Sequence, residues 1–338
     1  MDNKTERKHY IDIARGVAII LVVMGHAVNE YSLNSEPLEK IIYSFHMPLF
    51  FIISGLVFRV KDGDTFPAFL KKRSKGLMLP YLLFAALITL ANIAQSVILK
   101  APSAFFDLLK TKSGIIYTLL LTNHGAFSNL WFLPSMLVAQ ALLFIVLKYV
   151  KNKYAAAALC FLPSIAVIFI SPKISLPLCF ESAVVSVMYL YAGVLANKTK
   201  FVEKSKYAKL IIFAVIFALY SAIYLTKMYE LRLSYYEVQF GSPLLFLATS
   251  FSGSMLVIEL SYIIKHCKIL ELLGRYSLYI FGFHYIIQNA LRIALDFLNI
   301  NIGDILTLII TTVLNLLICT ALAVVWVKIK NKMRSKND

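Results

Sequence analysis

The sequence predicts an all-α fold, a polytopic membrane helical bundle of about ten transmembrane helices with both termini cytoplasmic. Three observations carry that expectation. The first is composition: 59% of the 338 residues are hydrophobic, only 15% are charged, and the mean hydropathy is +0.75. A soluble domain is about one-quarter charged and needs more polar cover than this chain holds. A soluble enzyme, a disordered chain and a collagen-like fibre are therefore excluded. The second is ten apolar stretches, at 13–31, 41–58, 77–98, 130–149, 154–170, 178–196, 208–226, 242–264, 277–298 and 304–327. The third is charge: with the N-terminus inside, 26 of the 34 Lys and Arg fall on cytoplasmic segments, seven on outer segments, and Arg292 within a span. Cytoplasmic loops of membrane proteins carry such an excess, so the net charge of +16 does not call for a nucleic-acid partner.

Each stretch approaches the roughly 20 residues that cross a bilayer, and lipid forces each to satisfy its own backbone hydrogen bonds as a helix. A β-barrel would alternate apolar and polar residues and is excluded. Stretch 13–31 starts basic and has no small-residue cleavage site before Asn29-Glu30, so it reads as a retained span rather than a removed signal peptide. Stretch 41–58 carries Pro48, expected in its first turn, where proline is tolerated. Stretch 130–149 opens on Asn129-Leu130-Trp131-Phe132-Leu133-Pro134 at the outer surface. Stretch 154–170 is the shortest and contains Pro163. The longest outer segment is 99–129, and the next, 227–241, is rich in Tyr and charge. No repeat or low-complexity tract interrupts the pattern. The expected organisation is one integral-membrane domain over 1–338, with short cytoplasmic tails at 1–12 and 328–338.

The four cysteines, Cys160, Cys179, Cys267 and Cys319, are scattered without a CxxC, so a disulfide framework or thiolate metal site is not expected. No metal centre is expected at all: His266-Cys267 is too small a hint. Asn3-Lys4-Thr5 and Asn197-Lys198-Thr199 match the glycosylation pattern but fall on segments assigned to the cytoplasm. Walker A, GxGxxG, HExxH and GxSxG motifs are all missing, which removes the usual signatures of nucleotide-driven pumping, zinc proteolysis and serine hydrolysis.

Ionisable residues inside spans are costly and are functional candidates by default. The first span holds Asp12, Arg15 and His26. Eleven residues separate Arg15 from His26, about 1100° of helical rotation, which puts both on one face roughly 16 Å apart. Asp12 precedes Arg15 by three residues and can pair with it. In the second span, FHMPLFFIISGLVFR, His46 lies near the outer end, and Ser54-Gly55 towards the inner side reads first as a close helix contact. Met47, Phe50 and Phe51 read as packing residues. The following loop carries Lys71, Lys72, Arg73 and Lys75, which are either ordinary topology signal or a phosphate-binding patch. Trp131 reads as an interfacial anchor, or with His124 and Asn129 as a sugar-binding group through stacking and hydroxyl hydrogen bonds. His284, Gln288 and Arg292 follow at i, i+4 and i+8 as a polar stripe on the ninth helix. Glu181 and Glu259 lie near the ends of their spans and read either as surface carboxylates or as members of a site.

These residues together resemble the integral-membrane acyltransferase family 3 proteins. That family shows an Arg, ten residues and a His in its first span, matched by Arg15 and His26. Its Phe-x-Met-Pro-Leu-Phe-Phe and Ser-Gly elements are matched by Phe45 to Phe51 and Ser54-Gly55. A basic loop ending in Pro-Tyr follows, as Lys72-Arg73 and Pro80-Tyr81, and a late Ser-Tyr-His element is approximated by Ser277, Tyr279 and His284. Trp131-Phe132-Leu133-Pro134 looks like the fucose-4-O-acetylase-like, polysaccharide O-acetyltransferase branch. The chain departs from the pattern at Gly76, where a second Arg often stands, and at Phe281-Gly282-Phe283, which interrupts the late element.

The resemblance implies transfer of an acyl group, usually acetyl, from cytosolic acyl-CoA to a hydroxyl of a cell-surface or lipid-linked glycan, in a bacterial plasma (inner) membrane. The expected donor is acetyl-CoA or another acyl-CoA, a substrate rather than a tightly bound cofactor. Arg15, Lys72, Arg73 and Lys75, with Ser54, would hold the donor; His26 and Arg15 would serve catalysis. His46, His124, Asn129, Trp131 and His284 would meet the acceptor. His26 would act either as general base on the acceptor hydroxyl or as transient acyl carrier. Expected partners are acyl-CoA, the acceptor and the bilayer, with a homo-oligomer or glycan-assembly machinery left open. The rival classes are a transporter of acyl groups or lipid-linked saccharides, and a membrane sensor or scaffold. Acetyl versus succinyl, the glycan and its hydroxyl are not legible.

Overall fold

Every apolar stretch becomes a helix in the computed structural model, which describes residues 9–31, 36–98, 128–170, 176–204, 207–227, 231–233, 238–240, 243–300 and 302–334. The α-helices among the described residues are α1 (His9–Glu30), α2 (Glu36–Leu56), α3 (Phe66–Ile98), α4 (Phe132–Tyr149), α5 (Lys153–Ile170), α6 (Phe180–Lys198), α7 (Tyr207–Lys227), α8 (Pro243–Ile264), α9 (Lys268–Phe297) and α10 (Asp304–Arg334). Six of them, α1, α3, α4, α6, α8 and α10, are long and apolar enough to cross a membrane, and α5 and α7 contain shorter apolar helices. One feature departs from an all-α description. Strands β1 (Leu231–Leu233) and β2 (Val238–Phe240) pair antiparallel within the segment that the sequence leaves as an outer loop.

Three helix starts differ from the sequence expectation. Helix α2 begins at Glu36, so Pro48 lies in its interior, not its first turn; the proline removes the N–H that would bond the Ser44 carbonyl and favours a bend there. Helix α9 begins at Lys268, nine residues before the apolar stretch. Helix α3 begins at Phe66, so Lys71, Lys72, Arg73 and Lys75 lie on helical turns rather than in a loop. Lys and Arg are good helix formers. The Phe69 N–H bonds the Thr65 carbonyl at 2.9 Å, and Phe69 stacks on Phe144 of α4 at 4.4 Å, which gives this basic turn an apolar anchor.

Gly76 sits on the same turns with no atom within 4 Å of where a Cβ would stand. An added Cβ therefore meets open space there. Gly76→Ala is expected to stabilise the protein by about 0.5–1 kcal/mol, because glycine in an exposed helix interior costs that much relative to alanine. The measurement is thermal unfolding in detergent; a lowered melting temperature would contradict the open face.

The chain forms two compact units, one comprising Met1–Phe50, Lys200–Leu225 and Ala248–Asp338, the other Phe51–Thr199 and Thr226–Leu247. In the first unit α1 and α9 pack side by side and parallel: His9 meets Glu271 at one end, and His26 meets His284 further along. Small residues allow this approach. A Cβ on Gly274 would overlap the Asp12 carbonyl, and one on Gly16 would overlap the Leu270 carbonyl, so the two backbones touch. Helix α10 is tied to α9 by Asn315, whose Nδ2 donates to the His284 carbonyl at 2.9 Å and to Gln288 Oε1 at 3.0 Å.

In the second unit the end of α2 crosses α6 through Gly55 and Gly193, each of which leaves no room for a Cβ against the other backbone. Ser54-Gly55 is thus the close helix contact that the sequence suggests. Helices α5 and α6 run antiparallel, with Ser164 Oγ donating to the Val184 carbonyl at 2.7 Å and the Tyr191 hydroxyl to the Lys153 carbonyl at 3.4 Å. The proline in α5 does not stop that helix forming.

Candidate active site

Three of the predicted site histidines converge in the first unit. His26 comes from α1, His46 from α2 and His284 from α9. The His26 and His284 ring centroids lie 4.9 Å apart. Tyr43, one turn before His46 on α2, completes the group. Its hydroxyl is 3.5 Å from His26 Nδ1, and its ring meets His46 edge-on at 4.9 Å. The placement follows from the helix starts: α1 is held against α9 by the Gly16–Gly274 contact, and Ser254 of α8 donates from Oγ to the Phe45 carbonyl of α2 at 3.3 Å.

Hydrogen bonding separates the three rings chemically. His46 Nδ1 lies 2.8 Å from the Ile42 carbonyl and His284 Nδ1 lies 2.6 Å from the Phe281 carbonyl. A carbonyl only accepts, so both rings carry the proton on Nδ1, and a neutral ring then presents a bare Nε2 lone pair. His284 is fully buried, and its Nε2 has no protein hydrogen-bond partner. The Phe281-Gly282-Phe283 interruption does not displace His284: it supplies the Phe281 carbonyl that orients the ring. His26 differs. It is partly accessible, and its Nδ1 faces the Tyr43 hydroxyl rather than a carbonyl. Of the three it is the one that is not fully buried.

Arg15 stands on α1, also partly accessible, with its guanidinium 3.7 Å from the Asp12 carboxylate, the i, i+3 pair expected from the spacing. Arg15 and His26 are two of the partly accessible positions on α1, with His9, Val17, Ile20, Leu21 and Met24.

The remaining candidates, Glu259 of the first unit excepted, lie in the second unit, which is described by itself. Ser54 is partly buried beside the Gly55 crossing. Lys72 and Lys75 are exposed on α3, whereas Arg73 is half-buried, its guanidinium carbon 5.6 Å from the Phe58 ring centre and 5.4 Å from that of Phe69. Such cation–π contacts fix where the charge stands. Asn129 lies in a single 3₁₀ turn (Ser128–Leu130) before α4 and is partly buried. Trp131 is 7% exposed and meets Phe132 edge-on. His124 lies outside the described residues. Glu181 and Glu259 are buried, not surface carboxylates. Glu181 Oε2 accepts from the Leu176 N–H at 3.1 Å, which satisfies a backbone donor just before the 3₁₀ turn (Pro177–Cys179) that leads into α6.

Sequence reasoning missed Tyr43 and Asn315. Asn315 had a signal, as a lone amide in an otherwise apolar stretch. Tyr43 had only its i, i+3 spacing from His46.

Comparison with known proteins adds to this geometry. The family model described as an acyltransferase domain matches residues 8–324, nearly the whole chain and both compact units. The chain is also 33% identical over 135 residues to the nodulation protein NolL of Sinorhizobium fredii (strain NBRC 101917 / NGR234). That match covers 38% of this chain and 33% of the relative, so the chain spans about a third of the length of the curated relative it matches. No solved structure matches the chain.

Proposed function

The chain belongs to acyltransferase family 3, and from that premise we propose that it is a membrane O-acyltransferase using cytosolic acyl-CoA to esterify a hydroxyl of a cell-surface or lipid-linked glycan. The observation that carries the reading is His26, partly accessible and flanked by Tyr43 and His284 on a helix that also bears Arg15. Acetyl is the proposed acyl group, and the proposed location is a bacterial plasma membrane. The proposed topology keeps ten spans with both termini inside. Alternating spans require α1 and α9 to run parallel and α5 and α6 antiparallel, and their packing supports this.

In the proposed reaction, His26 accepts the proton of the acceptor hydroxyl as its oxygen attacks the thioester carbonyl. The tetrahedral intermediate collapses, the C–S bond breaks, and the protonated His26 returns the proton to the CoA thiolate. Atoms and charge balance, and no further reactant is needed. Tyr43 orients the His26 ring through Nδ1. The His284 ring, its Nδ1–H committed to the Phe281 carbonyl, packs 4.9 Å from His26 and fixes the wall of the site beside it. Arg15, on the same helix, is assigned to the phosphates of the donor.

The test uses purified protein in detergent with acetyl-CoA and no gradient. An acyltransferase releases free CoA thiol when acceptor glycan is added and forms a base-labile ester. A transporter does neither, and absence of both would overturn the reading.

A further inference from the structure

At the other end of the α1–α9 contact the fold assembles a second set of donor atoms that the proposed reaction does not use. His9 opens α1, His266 lies in the turn between α8 and α9, and Glu271 stands in the first turn of α9. Among the described residues this is the one group of three His, Cys, Asp or Glu side chains whose donor atoms lie within 4.8 Å of one another. His9 Nδ1 is 2.9 Å from Glu271 Oε2, and His266 Nδ1 is 3.4 Å from Glu271 Oε1. The two imidazole rings meet edge-on at 4.2 Å. The sequence alone gives His266-Cys267 little weight. The fold changes that, because it brings His9 and Glu271, 262 residues apart, into hydrogen-bond contact beside His266.

We propose that His9, His266 and Glu271 form a zinc site that staples the start of α1 to the start of α9. Two imidazoles and one carboxylate are the ligand set of open zinc sites, with bonds of about 2.0–2.2 Å and a fourth position left for water. Tetrahedral bonds of that length separate ligand atoms by roughly 3.4 Å, close to the two nitrogen–oxygen separations found. The ligands can adjust: His9 and His266 side chains are 41% and 69% exposed.

Charge and space agree with the assignment. The Cys267 N–H donates to Glu271 Oε1 at 3.3 Å and helps to hold the carboxylate in place. Each neutral ring moves its proton from Nδ1 to Nε2 to expose a donor lone pair, so no reactant is consumed. A cavity of about 270 Å³ lined by His9, Tyr10, Tyr262, Lys265 and His266 opens beside the ligands and gives room for the fourth ligand. Imidazole nitrogen favours zinc over magnesium or calcium, which prefer all-oxygen sets.

The experiment uses full-length protein in detergent, stripped with chelator and titrated with zinc ion alone. The readouts are bound zinc per chain after gel filtration, isothermal titration and melting temperature. One zinc per chain is expected, with a higher melting temperature on binding. His266→Ala, at a mostly exposed ring, and His9→Ala should each weaken binding by at least about tenfold, since even outer-sphere losses cost that much. Cys267→Ser should leave it intact. The proposal is overturned if the parent takes up no stoichiometric zinc, or if the His9→Ala/His266→Ala double variant still binds it. None of these readouts depends on acyl transfer, so the site and the proposed function fail separately.

Discussion

Replacing His26 by alanine should lower acyl transfer about 10²–10⁴-fold, the usual cost of removing a general base or acid. The same loss is expected if His26 carries the acyl group, because a nucleophile cannot be bypassed within that mechanism. Folding should survive. His26 is partly accessible, and its described polar contact is the 3.5 Å approach to Tyr43. The measurement compares base-labile esters on the host's surface glycan in the parent, a deletion strain, and the deletion carrying His26→Ala at matched membrane abundance. Loss of one ester in both mutants would name the acyl group and place His26 in the chemistry. Transfer within a few-fold of the parent would remove both roles. His284→Ala makes an instructive contrast: that ring is fully buried and bonded to Phe281, so its removal leaves a cavity as well as a lost lone pair. A fall in abundance is therefore expected there and not at His26.

The contrast reflects what a sequence can and cannot carry. Helical periodicity is local, so the eleven-residue separation of Arg15 and His26 was enough to place them on one face. The apolar stretches located the ten α-helices among the described residues for the same reason. Convergence of His26, His46 and His284 was not legible, because it depends on which helices pack together, and no spacing within one helix encodes that. Helix starts were misplaced where charge obscured them. The run from Lys71 to Lys75 reads as a solvated loop until Phe69 is seen stacked on Phe144, which buries one side of that turn. Glu181 was uninformative alone because its partner is a backbone N–H, which every residue but proline has. Glu271 was passed over for a related reason: its significance lies in His9, 262 positions away.

The contact that makes the site is itself testable, and Gly274→Ala should be severely destabilising. A Cβ there would overlap the Asp12 carbonyl and stand 3.0 Å from the Gly16 nitrogen. Both are backbone atoms of α1, so no rotamer change can relieve the clash. The two helices must separate. Overpacking against adaptable side chains costs about 1–3 kcal/mol, occasionally more; against helix backbone the upper end of that range is expected. Roughly 3 kcal/mol shifts the folded-to-unfolded ratio about 100-fold, enough to deplete the protein from membranes. Alanine is the better helix former, so intrinsic propensity opposes this result and cannot produce it. Gly76→Ala is the matched control: the same change with open space gives the opposite sign. Fluorescence-detected gel filtration and melting temperature in detergent read both. If Gly274→Ala accumulates and melts like the parent, α1 and α9 do not touch at Gly274. The 4.9 Å approach of His26 to His284, which depends on the same pairing of helices, would fall with it.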